Sequence, residues 1–137
     1  MSHPSVTVII PSVRNHEELD IVLKGLRKQT YVGEIEIVVV GPTNDPGKSV
    51  CQENNIRFID DEGSRTRADA CNVAIDSTNS ELIFFTDDDV IVPENWIEKL
   101  VPWYENEDVS GVGGPNFAPV KESTMWQQVI DLSLIHI

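Results

Sequence analysis

The chain has 137 residues, 40% of them hydrophobic and 24% charged, which is enough for one domain with a real core and excludes a disordered or fibrous protein. Its formal net charge of −13 excludes the basic stripe that non-specific nucleic-acid binding needs, so no nucleic-acid partner is expected. An anionic ligand on so acidic a chain needs a local correction from a metal, a few arginines or a helix N-terminus. Cys51 and Cys71 lack metal-ligand spacing and the N-terminus lacks the pattern of a secretory signal, so reduced thiols in a cytoplasmic protein are expected. No stretch approaches the ~18 apolar residues of a membrane span.

Val6-Thr7-Val8-Ile9-Ile10, ended by Pro11, is a short apolar and β-branched run of the kind buried on both faces of a sheet. Asn15 followed by Glu18 reads as a capping box, and Leu19, Val22, Leu23 and Leu26 recur at helical spacing as far as Gln29. Ile35 to Val40 is a second buried strand, stopped by Gly41-Pro42, and Thr43 to Gly47 reads as a turn. A short helix is predicted over Ser49 to Glu53 and a strand over Ile56 to Ile59. Ser64 to Ser77 reads as a helix with Ala68, Cys71, Ala74 and Ile75 on its apolar face, and with Asn72 as a hydrogen-bonded core amide or a ligand contact. Glu81 to Thr86 is a fourth strand, Pro93-Glu94 opens a helix bearing Trp96, Ile97, Leu100 and Val101, and Pro102 ends it. Val109 to Val112 is read as a further strand, followed by a loop over Gly113 to Asn116.

Strands and helices alternate, so the expected fold is α/β: a Rossmann-like sandwich with a mostly parallel sheet and helices on both faces. Ligands on such sheets bind at the carboxyl ends of the strands. Two candidate segments lie there, Pro11 to Arg14 after the first strand and Thr86-Asp87-Asp88-Asp89 after the fourth.

At ~5 Å and an effective dielectric of ~20, each pair of ionised neighbours in that acidic triplet repels by roughly 3 kcal/mol. A cluster of this kind at a strand end calls for a cation or strong solvation, and hard divalent ions such as Mg²⁺ suit carboxylate oxygen. An EF-hand is excluded because Ile91 and Val92 stand where that loop needs an oxygen ligand and a glycine. Arg65 and Arg67, at the start of the third helix, are candidates for an anion or ribose contact, and Arg14 for the same cleft. His3, His16 and His136 form no metal or general-base constellation. Cys51 and Cys71 read as core residues, and Trp96, Trp103 and Trp126 as packing aromatics, with Trp126 a candidate for an acceptor groove.

The stretches VTVIIPSVRNHEELDIVLKGLRKQTY, EIEIVVVG, RADACNVAI and ELIFFTDDDVIVPENWIEKL, in this order and spacing, resemble the nucleotide-sugar-binding part of family 2 glycosyltransferases of the GT-A fold, over Ser5 to about Pro119. The resemblance implies metal-dependent, inverting transfer of a sugar from a nucleotide-sugar, UDP-sugar by default, to a hydroxyl of a saccharide or lipid-linked acceptor. It implies Mn²⁺ or Mg²⁺ as cofactor. Asp87 would take the first position of the DXD motif, toward the donor ribose. Asp89 would take the metal-binding position, with Asp87 as a second ligand and Asp88 the variable middle residue on the donor side. Pro11 and Ser12 fall at the nucleotide-contacting turn, and Arg67 where a basic residue is common. Gly41-Pro42 departs from the pattern, since many relatives carry an Asp there that contacts the nucleoside.

The resemblance further implies that the catalytic base and acceptor region lie beyond Asp131, that the chain alone does not transfer sugar, and that any membrane contact of a cytoplasmic-face enzyme comes from that later part. Residues 1–131 are therefore read as the donor-binding domain. Leu132-Ser133-Leu134-Ile135-His136-Ile137 matches the translation of a sequencing-library transposon end and is read as a non-native tail. A nucleotidyltransferase-like domain is the alternative enzyme, disfavoured by the lack of a Gly-rich phosphate loop after the first strand. A receiver-type signalling domain would need an acidic pair where Pro11-Ser12 stands. A non-catalytic, nucleotide-binding remnant of the family is the remaining alternative.

Overall fold

A computed structural model describes residues 3–114. The elements run β1 (Val6–Pro11), α1 (Glu17–Leu26), β2 (Ile35–Gly41), α2 (Gly47–Glu53), β3 (Arg57–Asp60), α3 (Arg67–Asp76), β4 (Leu82–Phe85) and α4 (Trp96–Leu100), followed by a 3-10 turn over Val101–Glu105. All strands are parallel, in the order β3-β2-β1-β4. Each connection between parallel neighbours must cross over, and right-handed crossovers decide which face every helix covers. The chain steps from β1 to β2 to β3 in one direction, so α1 and α2 share a face. It then reverses past β2 and β1 to reach β4, which sends α3 to the other face.

The core follows this division. Val6, Val8, Ile10, Val39 and Phe84 pack with α1, α2 and α4 on one face. Ile9, Val38, Val40 and Ile59 pack with Ala70 and Ala74 of α3 on the other. Alternation along β1 thus feeds two cores at once, which is why its sequence is an unbroken apolar run. Phe84 meets Trp96 edge-on, with ring centroids 5.2 Å apart.

The helical period in α1 is met in full, since Leu19, Val22, Leu23 and Leu26 are its buried residues. Its start differs from expectation. His16 occupies the N-cap position without a side-chain cap, and Asn15 reaches the Leu19 N–H only at 3.4 Å. In α3 the capping residue is Thr66, whose hydroxyl accepts from the Asp69 N–H. The helix therefore starts three residues later than expected, and its buried face is Ala70 and Ala74 with Cys71 and Val73 beside them. Ala68, Asn72 and Ile75 are exposed, so Asn72 is not a core amide. Two small residues one turn apart let α3 lie close on the sheet.

Pro102 ends α4 as expected, because an α-helix cannot supply its missing N–H. The strand expected over Val109 to Val112 is not formed among the described residues. A four-residue run containing Ser110 and Gly111 has little intrinsic strand preference without a partner to pair with. Trp103, expected as a packing aromatic, is 60% exposed. The chain divides into two compact units, Met1–Pro102 and Trp103–Ile137. In the second, Asn106 shapes a turn by accepting the Asp108 N–H at 3.0 Å. Residues 115–137, including the Leu132–Ile137 tail and Trp126, lie outside the described residues.

Candidate functional site

Reversal of direction after β3 puts the topological switch point between β1 and β4, since α1 leaves β1 on one face of the sheet while α3 leads into β4 from the other. The register sharpens it. Pairing of β1 with β4 stops at Ile9↔Phe85, while pairing with β2 continues to Pro11↔Val40 and a Ser12 N–H to Val40 carbonyl bond of 2.9 Å. Beyond Thr86 the fourth strand thus leaves β1, and Ser12 and the acidic triplet face each other across the opening.

Side chains bridge that opening. Ser12, 3% exposed, donates its hydroxyl to Asp88 Oδ2 at 2.8 Å. Asn15 donates from Nδ2 to the Asp88 backbone carbonyl at 3.2 Å, tying the acidic loop to the approach of α1. Arg67, in the first turn of α3, forms an ion pair with Asp87. Both partners of that pair are substantially exposed, so it adds at most about 1 kcal/mol to stability and opens easily to an incoming anion.

A cleft of about 380 Å³ runs along the strand ends, lined by Pro11, Ser12, Val13, Val40, Gly41, Asp61, Ser64, Arg65, Thr66, Arg67, Ala70 and Asp88. Of the residues expected at the site, Pro11, Ser12, Arg65, Arg67 and Asp88 therefore line one cavity, with Asp87 joined to it through Arg67. Arg14 and Asp89 do not line it. Arg14 has a positive φ of 57° and donates its backbone N–H to Asp45 at 2.7 Å, while its side chain is exposed. Asp89 is exposed beside the cleft.

Three residues that shape the site escaped the sequence reading. Asn15 was read only as a helix cap. Asp45 is 7% exposed and holds both the Arg14 N–H and the Gly47 N–H, the latter at 2.9 Å, so it fixes the loop after β1. Asp61, 6% exposed, accepts the Gly63 N–H through Oδ1 at 3.0 Å and faces the cleft. Both aspartates sit in an Asp-x-Gly sequence, the signal of an Asx turn. Next to Asp61, the Thr43 hydroxyl and the Glu62 N–H hold the Asp60 carboxyl below its usual range, with the Lys48 charge adding a little. Turn 60–64 is thereby pinned from both sides. Burial raises the Cys71 thiol, against a smaller opposing effect of Arg67.

The acids can be tested against a metal. Among the described residues no three His, Cys, Asp or Glu side chains converge. Asp87 turns to Arg67, Asp88 to Ser12, and Asp89 is exposed, so the triplet is not a cage. Such a set fits a hard divalent ion held by one or two carboxylates and completed by ligand phosphate and water.

Fold and cleft define a doubly wound α/β protein with a polar cleft, lined by two arginines and two aspartates, at its switch point. The chain belongs to the family described as Glycosyl transferase family 2, whose model matches residues 7–135. Glycosyltransferase GlyG of Streptococcus pneumoniae is 32% identical over 116 residues, covering 80% of this chain and 38% of the relative. An N-acetylglucosaminyltransferase of Azorhizobium caulinodans is 28% identical over 137 residues, covering 94% of this chain and 34% of the relative. Among solved structures, the mannosyltransferase PcManGT of Pyrobaculum calidifontis, in complex with GDP-Man and Mn²⁺, superposes with a TM-score of 0.62 at 24% identity, covering 70% of this chain and 33% of that one. The glucosyl-3-phosphoglycerate synthase of Mycobacterium tuberculosis, in complex with Mn²⁺ and UDP, gives 0.58 at 16% identity, covering 79% and 40%. These likenesses establish the GT-A type of fold. The chain spans about a third to two-fifths of the length of the proteins it matches. No helix of the described residues is long and apolar enough to cross a membrane.

Proposed function

We propose that the chain binds the donor in a metal-dependent glycosyltransferase that passes a sugar from a nucleotide-sugar to an acceptor hydroxyl with inversion. The observation that carries this reading is the convergence of Ser12, Arg67, Asp87 and Asp88 on the β1/β4 switch point. Family membership supports it. In the reaction, the acceptor oxygen forms a bond to the anomeric carbon as the bond from that carbon to the leaving diphosphate breaks, and the acceptor proton passes to a base. The described residues serve the donor side, and no base is assigned among them.

Each residue has a task. Arg67 exchanges Asp87 for a phosphate oxygen, a charge-assisted contact that suits guanidinium geometry. Ser12 and Asn15 hold the Asp88 segment against β1, which fixes the height of the acidic loop over the cleft. Asp89, with Asp87, would hold Mn²⁺ or Mg²⁺. When bound, such an ion offsets the charge that develops on the departing diphosphate.

Titration calorimetry of this chain with a nucleoside diphosphate, with and without Mn²⁺, tests the assignment. Binding should strengthen at least tenfold with Mn²⁺ in the wild type and lose that gain in Asp89→Ala. Equal binding with and without the metal would overturn the metal assignment, and no binding at all would overturn the donor site.

A further inference from the structure

The acidic triplet sits in the connection Thr86 to Asn95 between β4 and α4. Its backbone is tied to the sheet at the start, where the Thr86 N–H reaches the Ile9 carbonyl at 3.3 Å. From Asp87 to Val92 no backbone group makes a backbone–backbone hydrogen bond among the described residues. The place of the acids therefore depends on what grips the connection from outside. Ser12 and Asn15 grip it at Asp88. Its far end is gripped by the residues that follow α1.

Gln29, half-buried, makes two bonds there. Its Nε2 donates to the Pro93 carbonyl at 2.7 Å, and its Oε1 accepts the Ile97 N–H at 3.1 Å. Beside it the Thr30 N–H donates to the Glu94 carbonyl at 2.8 Å, and the Thr30 hydroxyl bonds Glu98. The first N–H groups of a helix have no partner within it, and the side chain that caps them normally belongs to the residue just before. In α4 that residue, Asn95, makes no side-chain cap, and Gln29 supplies the acceptor from another element. Meeting a carbonyl and an N–H together takes a donor and an acceptor on one side chain, which an amide has and a carboxylate or an ammonium lacks.

α1 thus braces the connection from both ends, with Asn15 ahead of it and Gln29 behind. The helix has 10 residues, or ~15 Å. The chain from Asp88 to Pro93 reaches at most ~17 Å when fully extended, so little slack remains between the anchors and a displacement at Pro93 is passed back to Asp89 and Asp88. Val92 and Trp96 also pack on the core beneath, but apolar contact is non-directional and does not set the register of the chain.

We propose that Gln29 is a positioning residue for the metal-holding acids, setting the place of Asp87, Asp88 and Asp89 through the start of α4. It lines no part of the cleft. The inference rests on the donor-site reading and deepens it by naming a residue outside the cleft on which the metal response depends.

The test is titration of this chain with UDP and with GDP, each with and without Mn²⁺, for the wild type, Gln29→Met, Gln29→Glu and Leu23→Ala. Methionine keeps the length and loses both bonds, whereas glutamate keeps the bond to the Ile97 N–H and sets an acceptor against the Pro93 carbonyl. Leu23→Ala is the control for lost stability alone, since Leu23 is a core residue that makes none of the anchoring bonds. In Gln29→Met the strengthening by Mn²⁺ should shrink about fivefold while metal-free binding changes by less than about twofold, and Gln29→Glu should fall between it and the wild type. Leu23→Ala should keep the wild-type gain. An unchanged gain in Gln29→Met, a proportionate loss with and without metal, or a gain lost equally in Leu23→Ala overturns the role of Gln29 and leaves the donor site standing. Should Gln29→Met not fold, as read by circular dichroism, Gln29→Glu decides by the same criteria. A wild type that binds no better with Mn²⁺, or not at all, overturns the metal or the donor reading and this inference with it.

Discussion

Replacing Gly41 with alanine should damage both the sheet and the cleft. The added Cβ would lie 2.4 Å from the Ser12 carbonyl oxygen, and backbone on backbone has no rotamer to escape into. Relief requires the ends of β1 and β2 to part by roughly 1 Å, because carbon and oxygen settle near ~3.3 Å even in their closest weak contacts. That movement strains or breaks the Ser12 N–H to Val40 carbonyl bond, now 2.9 Å, which contributes about 1 kcal/mol. Overpacking adds about 1–3 kcal/mol, and the lower entropy of the unfolded alanine chain returns about 0.4–1. The net expectation is a loss of about 1–3 kcal/mol. Urea denaturation should show it as a midpoint lowered by about 1 M with an unchanged slope. Because Ser12 must move, its bond to Asp88 should also be lost, and Mn²⁺-dependent nucleotide binding should weaken. Gly25→Ala is the control: nothing stands within 4 Å of its Cβ position inside α1, so it should stabilise by about 0.5–1 kcal/mol. A Gly41→Ala protein as stable as the wild type, binding nucleotide equally well, would refute the close-approach reasoning.

Leu23→Ala, at a fully buried position of α1, should cost about 2–5 kcal/mol in urea denaturation, and a loss under 1 would mean that the α1 face is not packed as described. Thr66→Ala removes the cap of α3 and should cost about 1 kcal/mol; because the cap also fixes where Arg67 starts, nucleotide affinity should fall as well, and unchanged values of both would count against the capped start. Burial, aided by the nearby Asp45 carboxylate, pushes the Cys51 thiol up to about 11. The folded state then keeps a proton that the unfolded thiol loses near its ordinary value of 9.0, so this stabilisation is complete below pH 9 and lost as pH rises to about 11. Comparing urea midpoints at pH 8 and 11, Cys51→Ala should lose stability less steeply than the wild type, by an amount on the order of 2 kcal/mol; parallel losses would refute a shifted thiol.

The sheet was legible because β1 and β2 are short β-branched runs, β4 is a short apolar run, and α1 carries a 3.6-residue period in Leu19, Val22, Leu23 and Leu26. Boundaries slipped where capping decided them: Thr66 outranked Ser64 as the start of α3, and the buried face rotated from Ala68 and Ile75 to Ala70 and Val73. Ser12, Asp87 and Asp88 stood out as candidates because they follow strand ends in a βα repeat, where ligands bind, and Arg67 because it opens a helix. Asp61 and Asp45 could not, since an Asp-x-Gly turn has the same sequence whether its second oxygen faces solvent, faces a cleft, as Asp61 does, or holds another loop's N–H, as Asp45 does. Only the strand order, which no local pattern encodes, brings the end of β3 into line with the end of β4.

That strand order also accounts for how an acidic chain would offer an anion a place to bind, as the proposed donor site requires. With a net charge of −13 spread over 137 residues, no general field draws a phosphate in. The reversal after β3 carries α3 beneath the sheet with its first turn beside the switch point, so that Arg65, Thr66 and Arg67 line the cleft. The Arg67 pair with Asp87 is exposed and weak, and on the proposed donor reading it is a placeholder: an incoming phosphate would take the guanidinium and free a carboxylate oxygen in the same event. On that reading, arginine and acid would be coupled through one ligand. Arg67→Ala should therefore weaken nucleotide binding more in low salt than in high salt, while Asp87→Ala should lower the Mn²⁺ dependence and release Arg67 to bind diphosphate more tightly without metal. Calorimetry of the two variants at two salt concentrations decides it, and a metal-free affinity in Asp87→Ala equal to or weaker than that of the wild type would show that the pair does not compete with the ligand.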